Sequence, residues 1–261
     1  MSKASSIKVN DTKLNYQGLL MKVKEWYSRD HLIVEFEDGY IKEILTDGNQ
    51  RWKKGNIRNP NIISVYGKGY LGGDEYNYHK DKYVYKAWNH MLERCYTEQY
   101  KKIFPTYIGC TVCDEWLNFQ NFAKWYYDNL WLDLKDAKLD KDILQKHNKI
   151  YSPVTCVLVN NHINCLFTKR NKDRGQYPIG VSIDKRHDNI RAYVYIDGRQ
   201  STKYTPNNIS KEERIQLAFN WYKQSKEEEI KRVADLYKSK YPNFPQKLYD
   251  AMCAYEVEIT D

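Results

Sequence analysis

The chain has 261 residues, with 42 Lys or Arg and 34 Asp or Glu, which gives a net charge of +8 when histidine is neutral. This length predicts about two domains, and a content of 41% hydrophobic and 29% charged residues excludes a disordered chain. The apolar runs are only a few residues long, which excludes a transmembrane helix of ~20 residues. Residues 1–5 are not followed by an apolar stretch, so we expect no secretory signal and a cytoplasmic, reducing environment.

Basic residues concentrate in one part of the sequence. Residues 135–212 contain 15 Lys or Arg and 8 Asp or Glu, a net charge of +7, so the rest of the chain carries about +1. Such a stretch is typical of proteins that bind a polyanion, although a merely solvated face has the same composition. The 24 tyrosines also have two explanations. Aromatic side chains among basic ones stack on nucleic-acid bases, but tyrosine is also plentiful in the products of AT-rich genes.

The first third of the chain predicts a small β module. Residues 1–15 are polar and aperiodic, which predicts a flexible arm. In residues 16–75, Leu32, Val34 and Phe36 recur with strand period, and Asp38-Gly39 follows them as a hairpin signal. This pattern predicts a hairpin-based or SH3-like module. The glycine-rich tract 66–73 predicts a linker, and it lacks the spacing of a phosphate-binding loop.

From Val84 the hydrophobic period becomes helical. Two aromatic stripes at this spacing predict helices whose large side chains form core rather than a base-stacking surface. The stripes are Trp88, Met91, Leu92 and Cys95, and then Trp116, Phe119, Phe122, Ala123 and Tyr126.

Four cysteines raise the question of a structural zinc site. Cys110 and Cys113 form a C-x-x-C motif, a spacing that can supply half of a tetrahedral zinc site, and Cys95 and Cys156 are the candidate partners. The chain has no second C-x-x-C motif. This absence favours the other alternative, that these are buried, reduced thiols.

A strand, a loop, a strand and a helix follow in close succession. Residues 138–144 predict a short strand, residues 145–153 a polar loop, and residues 155–159 a second strand. Asn160 is a suitable N-cap for a helix that begins after it. The order is that of a ββα unit.

The remainder predicts a second sheet and further helices. Residues 178–204 form strands in which Arg191, Tyr193 and Tyr195 share one face, while Ala192, Val194 and Ile196 share the other. Ser210 is expected to cap a helix that ends near residue 226, and further helices are expected over 228–240 and 246–255. We therefore predict a multidomain α+β chain with an arm (1–15), a β module (16–75), a helical and ββα domain (76–175), a three-stranded sheet with a helix (176–226) and C-terminal helices (227–261).

An ordered set of motifs runs through residues 84–170. It comprises W-N-H-M-L-E-R-C-Y from Trp88, V-C-D-E-W from Val112, Phe119 to Phe122, L-D-K-D from Leu139, Y-S-P-V-T-C from Tyr151, and Asn164. In this order the motifs resemble a phage- and plasmid-borne group of HNH-like endonucleases that carry an AP2-type DNA-binding domain. Residues 178–198 and the helix after them resemble the AP2 unit more loosely, and residues 39–60 resemble an N-terminal module found on such phage proteins.

The resemblance implies a nuclease site that holds one Mg²⁺ or Mn²⁺ ion. In the ββα hairpin of this family, an acidic residue on the first strand and an Asn or His on the helix hold the metal. Asp140 and Asn164 match these positions, with Asn161 one turn earlier. Asp142 and Asn148 offer further oxygen ligands, although both residue types are also common in loops.

The general base of the family is missing from its usual position. The family places a histidine directly after the metal-binding acid, to accept a proton from water. This chain has Lys141 there, which is protonated at neutral pH and suits contact with a phosphate instead. His162, on the predicted helix, and His147, in the loop, are the nearby substitutes.

The AP2 resemblance implies that the face carrying Arg191, Tyr193 and Tyr195 reads double-stranded DNA in the major groove. The alternative is that this face is only solvated. Flanking basic residues are expected to add phosphate contacts, and they are Lys185, Arg186, Arg199 and Lys203.

Three functions are therefore open. The first is an HNH-type endonuclease that nicks or cuts DNA. The second is a DNA-binding regulator whose nuclease centre has decayed, which Lys141 favours. The third is a phage counter-defence protein that acts through a protein partner. If the chain is phage-encoded, the cytoplasm in which we expect it is that of the host cell.

Overall fold

A computed structural model of the chain describes residues 7–169, 177–184 and 189–261. It is a mixed α+β protein with several small sheets. The chain divides into two compact units, unit 1 up to residue 76 together with 118–120, and unit 2 with residues 77–117 and 121–261. Unit 2 thus contains the three domains predicted after the β module, apart from residues 76 and 118–120, which belong to unit 1. In the part of the chain that is described, no helix has both the length and the apolarity needed to cross a bilayer.

Unit 1 is built on an antiparallel meander in the order β1-β2-β3-β4. The predicted Asp38-Gly39 turn joins β3 to β4, and Gly39 has a φ of 82°, which glycine adopts without strain. One face of the sheet, with α1, encloses a core that includes Met21 and Trp52. The elements are β1 (Thr12–Leu14), β2 (Leu20–Trp26), β3 (Leu32–Phe36), β4 (Ile41–Ile44) and α1 (Gly48–Lys53).

Two predictions for this region are corrected. Residues 7–15, expected in a flexible arm, belong to unit 1, because Ile7 is buried in its core and β1 pairs with β2. The glycine-rich tract, expected to be a linker, also lies within unit 1, where Val65 and Gly69 form a β-bridge. Local polarity hid the first feature, because a short edge strand needs few apolar residues of its own. Glycine content hid the second, because glycines are as common in tight turns as in linkers.

The first half of unit 2 carries the two aromatic stripes, and the prediction that they form core is confirmed. Trp88 and Trp116 are fully buried. The indole N–H of Trp88 donates to the carbonyl oxygen of Trp116 at 2.7 Å, which satisfies its one polar group. The elements here are α2 (Lys82–Tyr96), α3 (Glu98–Ile103), a 3-10 turn (Pro105–Tyr107), β5 (Thr111–Val112), α4 (Asp114–Leu117) and α5 (Phe119–Asp128).

The ββα unit follows. β6 (Lys138–Asp140) pairs antiparallel with β8 (Val157–Val159), while β7 (Ile150–Tyr151) pairs parallel with β5. Asn160 caps α6 (Asn161–Leu166) as predicted, because its side chain accepts a 2.9 Å hydrogen bond from the backbone N–H of Ile163.

The last part of unit 2 contains a three-stranded antiparallel sheet in the order β11-β10-β9. β9 spans Val181–Asp184, β10 Asn189–Ile196 and β11 Arg199–Tyr204. The predicted turn at Asp197-Gly198 joins β10 to β11, and both residues have positive φ, as a tight hairpin of this type requires. Two helices complete the unit, α7 (Lys211–Lys240) and α8 (Gln246–Cys253).

The long helix α7 joins the sheet to the ββα unit. A break near residue 227 was predicted and is wrong, since α7 continues through it. The reason is that Lys226, Glu227 and Glu228 are good helix formers, so a polar interval does not end the helix. The N-terminal half of α7 packs on the sheet through Ala218, Phe219 and Tyr222. The C-terminal half packs on the ββα unit through Ile230, Val233 and Ala234.

A buried carboxylate on α7 holds the tip of the β10–β11 hairpin. The Glu229 side chain is only 3% exposed and accepts hydrogen bonds from the backbone N–H of Asp197, at 3.0 Å, and from the guanidinium of Arg232. Burial alone would raise the pKa of Glu229, but these hydrogen bonds outweigh it and hold the pKa below its usual value. The sheet and the helix are therefore joined by polar as well as apolar contacts.

Candidate functional site

Asp140 and Asn164 line one cleft in unit 2, with a volume of about 390 Å³. We call it the Asp140 cleft. Asp140 is the last residue of β6, and Asn164 lies on α6 with Asn161 one turn before it in the same cleft. The pairing of β6 with β8 and the capped start of α6 thus place in one cleft the two residues that the family resemblance implied as metal ligands.

Asp140 is partly committed to its own loop. Its Oδ1 accepts two hydrogen bonds of 2.8 Å, from the backbone N–H groups of Asp142 and Ile143. This turn ends β6 at Asp140, so the strand predicted to run on to residue 144 is shorter than expected. Burial raises the pKa of Asp140, and the two N–H groups oppose that rise. Its Oδ2 accepts no hydrogen bond from the described residues.

The donor set of the cleft fits a small, hard cation. A carboxylate oxygen from Asp140 and an amide oxygen from Asn164 are ligands that Mg²⁺ accepts, and Mg²⁺ usually keeps several waters beside one or two carboxylates. Asp142, named as a further ligand, also lines the cleft, but both its oxygens accept from the ammonium of Lys141, at 2.7 and 2.9 Å. Asp140 and Asn164 are therefore the better-placed pair.

Lys141 is held by its neighbours. Its side chain is only 9% exposed, and its ammonium donates to the carboxylate of Asp142 and, at 2.7 Å, to the carbonyl oxygen of Asn148. The Asn148 amide in turn donates to the carbonyl oxygens of Lys141 and Ile150. Lys141 and Asn148 thus brace the loop after β6. These contacts support a structural role for Lys141, because they leave none of its ammonium protons free to donate to a phosphate.

The two histidines named as substitutes lie elsewhere. His162 lines a neighbouring cleft, where its Nδ1 is 3.2 Å from the hydroxyl of Tyr237. His147 lies near Glu258 and Asp261. Among the described residues, this is the only group of three His, Cys, Asp or Glu side chains whose ligand atoms all lie within 4.8 Å of one another. Lys146 and Lys169 already pair with these carboxylates, so their charge is neutralised.

A histidine that the motifs did not single out does line the Asp140 cleft. His90 lies on α2, between Lys86 and Arg94, and all three contribute to the cleft wall. Their spacing of four residues is the signal that could have identified them, because it places them on one helix face. Lys135 and Lys138 also line this cleft, which gives it more cationic than acidic side chains.

The polar face of the three-stranded sheet carries Arg191, Tyr193 and Tyr195, as the alternation predicted. The register adds Tyr204 and Ser182 opposite Arg191, and Thr202 and Gln200 opposite the tyrosines. The Arg191 guanidinium donates to the hydroxyls of Ser182, at 3.2 Å, and Tyr204, at 3.4 Å. Tyr195 is 56% exposed.

The flanking basic residues do not all share that face. Lys203 lies opposite Ala192 and Arg199 opposite Ile196, so the backbone of β11 directs both towards the side on which α7 packs. The Lys203 ammonium lies 6.0 Å from the ring centre of Trp221 on that helix. Arg199 and Lys203 are four residues apart on β11, so strand alternation places them on one face. The pairing of β11 with β10 then shows which face that is. Lys185 and Arg186 lie outside the described residues.

The four cysteines of the zinc hypothesis are not gathered into one site, since no three of the described Cys, His, Asp or Glu ligand atoms meet there. Cys95, Cys110 and Cys156 are buried, and burial raises the pKa of the Cys95 and Cys156 thiols to about 12.

Comparisons of the chain with protein-family models, with curated proteins and with solved structures found no match. The geometry of the cleft and of the sheet is therefore what indicates the function.

Proposed function

We propose that this chain binds double-stranded DNA and hydrolyses one of its phosphodiester bonds with a single divalent metal ion, as HNH-type endonucleases do. The observation that carries the proposal is the Asp140 cleft, in which an acid from β6 and an amide from α6 face a cavity walled by basic side chains. The cleft combines oxygen ligands for a cation with positive charge for a phosphate.

Each part of the cleft has a separate task. Asp140 and Asn164 would hold Mg²⁺ or Mn²⁺, and such an ion, when bound, stabilises the charge that develops on the leaving oxygen. Lys86, Lys135 and Lys138 supply positive charge for the DNA backbone. Lys141 keeps the loop after β6 in shape and so keeps Asp140 in position.

The three-stranded sheet would provide binding to DNA outside the cleft. Its face combines an arginine with exposed tyrosines, and no described apolar cluster covers it. Arginine reaches guanine edges or phosphates, and tyrosine contacts sugars or bases. Because α7 packs on both the sheet and the ββα unit, the two parts belong to one compact unit.

Plasmid nicking tests the enzymatic part of the proposal. We expect the protein to convert supercoiled plasmid into the open-circular form in Mg²⁺ or Mn²⁺, and to leave it intact in EDTA. A single site per chain cuts one strand, so linear product should appear later than the nicked form. Intact plasmid under every metal condition, from protein that retains DNA, would refute the nuclease proposal.

An arginine pair within one hairpin tests the DNA-binding face. Arg191→Ala is expected to weaken binding to duplex DNA several-fold and to reduce the log–log salt slope by about 0.9 if Arg191 contacts one phosphate. Arg199→Ala is the matched control, because Arg199 lies on the opposite face, and we expect a smaller change. Affinity is measured by fluorescence anisotropy across a salt series in EDTA. Equal effects of the two variants would place DNA binding on another surface.

A DNA-binding regulator without nuclease activity is the second candidate. The observation in its favour is Lys141, which occupies the position of the family's base and is tied to Asp142 and Asn148. This candidate predicts salt-dependent DNA binding together with no nicking, so the two assays above separate it from the first.

A further inference from the structure

We propose that His90 on α2 is the general base of the Asp140 cleft, accepting a proton from the water that attacks the phosphodiester. This inference depends on the proposed nuclease function and adds a catalytic residue to it. His90 lies outside the ββα unit, in a part of the chain to which the motif resemblance assigned no chemistry.

The position of His90 in the cleft suits a general base. His90 lines the same cleft as Asp140 and Asn164, and it is the only histidine among the described residues that line this cleft. The alternatives in the ββα unit are placed less well. Lys141 is fully engaged as a donor, and His162 faces a separate cleft beside Tyr237.

The helix that carries His90 is rigidly packed. Helix α2 buries one face completely, with Val84, Trp88 and Leu92 at 0% exposure. The hydrogen bond from Trp88 to the carbonyl oxygen of Trp116 further fixes its rotation. His90 is exposed on the side away from this buried stripe, so the helix presents it to the cleft from a fixed backbone. A catalytic group on a packed helix is held more accurately than one on a loop.

The charge around His90 favours a bound phosphate. Lys86, one turn before His90, is exposed and lines the cleft, and Lys135 and Lys138, just before and at the start of β6, line it too. A phosphodiester drawn towards these lysines would sit between α2 and the ββα unit. Its phosphorus would then face Asp140 and Asn164 on one side and His90 on the other, as separate metal-holding and proton-accepting groups require.

The step balances without any further reactant. An imidazole nitrogen of His90 takes a proton from a water molecule as the water oxygen forms a bond to phosphorus. The bond from phosphorus to the leaving nucleotide oxygen breaks, and that oxygen takes a proton from solvent. The imidazolium then returns its proton to solvent, so one water is consumed for each phosphodiester hydrolysed.

A footprint without metal tests the position of His90 apart from catalysis. Protein in EDTA is treated with diethyl pyrocarbonate, with and without a DNA duplex, and modified histidines are quantified by mass spectrometry. We expect DNA to protect His90 at least several-fold. His79 is the internal control, because it is exposed in the same unit and does not line the cleft, and it should react equally in both samples. Equal reactivity of His90 with and without DNA would overturn the inference.

Substitution tests the chemistry. His90→Ala is expected to slow plasmid nicking by about 10²- to 10⁴-fold, the usual contribution of a general base, and added imidazole should restore part of the rate. His79→Ala should nick at the wild-type rate. Mn²⁺ binding, measured by electron paramagnetic resonance, should be retained in His90→Ala, which separates a base from a metal ligand.

The outcomes distinguish this inference from the proposal on which it rests. If Asp140→Asn removes nicking while His90→Ala does not, the nuclease proposal stands and the assignment of His90 is wrong. If His90→Ala loses Mn²⁺ binding, or loses activity that imidazole does not restore, the residue is not a base. If the wild-type protein never nicks DNA, both proposals fail together.

Discussion

Replacing Asp140 with asparagine is expected to slow metal-dependent nicking by about 10³-fold. This corresponds to a loss of ~4 kcal/mol of transition-state stabilisation, since each 1.36 kcal/mol changes the rate tenfold. The amide keeps an oxygen where Oδ1 accepts from the N–H groups of Asp142 and Ile143, so the turn after β6 should survive. What the change removes is the negative charge that holds the cation. The measurements are the nicking rate in saturating Mn²⁺, Mn²⁺ affinity and the melting temperature.

Two further variants make this result specific. Asp136→Asn changes the same residue type at an exposed position outside the Asp140 cleft, and it should nick DNA normally. Asp140→Ala removes the oxygen that accepts the two N–H groups, so it should lose activity and also about 1–3 kcal/mol of stability. Normal nicking by Asp140→Asn would remove Asp140 from the metal site.

Truncating Ile230 to alanine is expected to lower the free energy of unfolding by about 2–5 kcal/mol. Ile230 is fully buried where the C-terminal half of α7 meets β8, α6 and α8. The lost methyl and methylene groups leave a cavity that this packed cluster can only partly fill. In a unit of this size a loss of ~3 kcal/mol lowers the melting temperature by about 6–12 °C.

The matched control lies on the same helix. Leu236 is 46% exposed, so Leu236→Ala should change the free energy of unfolding by only a few tenths of a kcal/mol up to about 1 kcal/mol. Both variants are compared by urea denaturation followed by circular dichroism. If they cost the same, the C-terminal half of α7 does not hold the ββα unit as its packing indicates.

Local structural features could be predicted from the sequence, because each depends on residues that are neighbours along the chain. Asp38-Gly39 marked a hairpin since the turn itself needs a positive φ, and Asn160 marked a helix start since its side chain reaches the N–H of Ile163. The spacing of Trp88, Met91 and Leu92 identified a buried face. Strand alternation likewise put Arg191, Tyr193 and Tyr195 together, because successive side chains must point to opposite sides of a sheet.

The features that remained hidden depend on partners far away in sequence. The pairing of β10 with β11 decided that Arg199 and Lys203 lie on the face opposite Arg191, and only the register carries that information. The polar interval near residue 227 predicts a helix end, but α7 is continuous, because the residues there are good helix formers and the helix packs on two cores at once. Lys141 read as a cation available to phosphate until the folded loop supplied Asp142 and Asn148 as its partners. His90 belongs to α2 by local pattern and to the Asp140 cleft by tertiary structure, because only packing brings a helix face against a strand end.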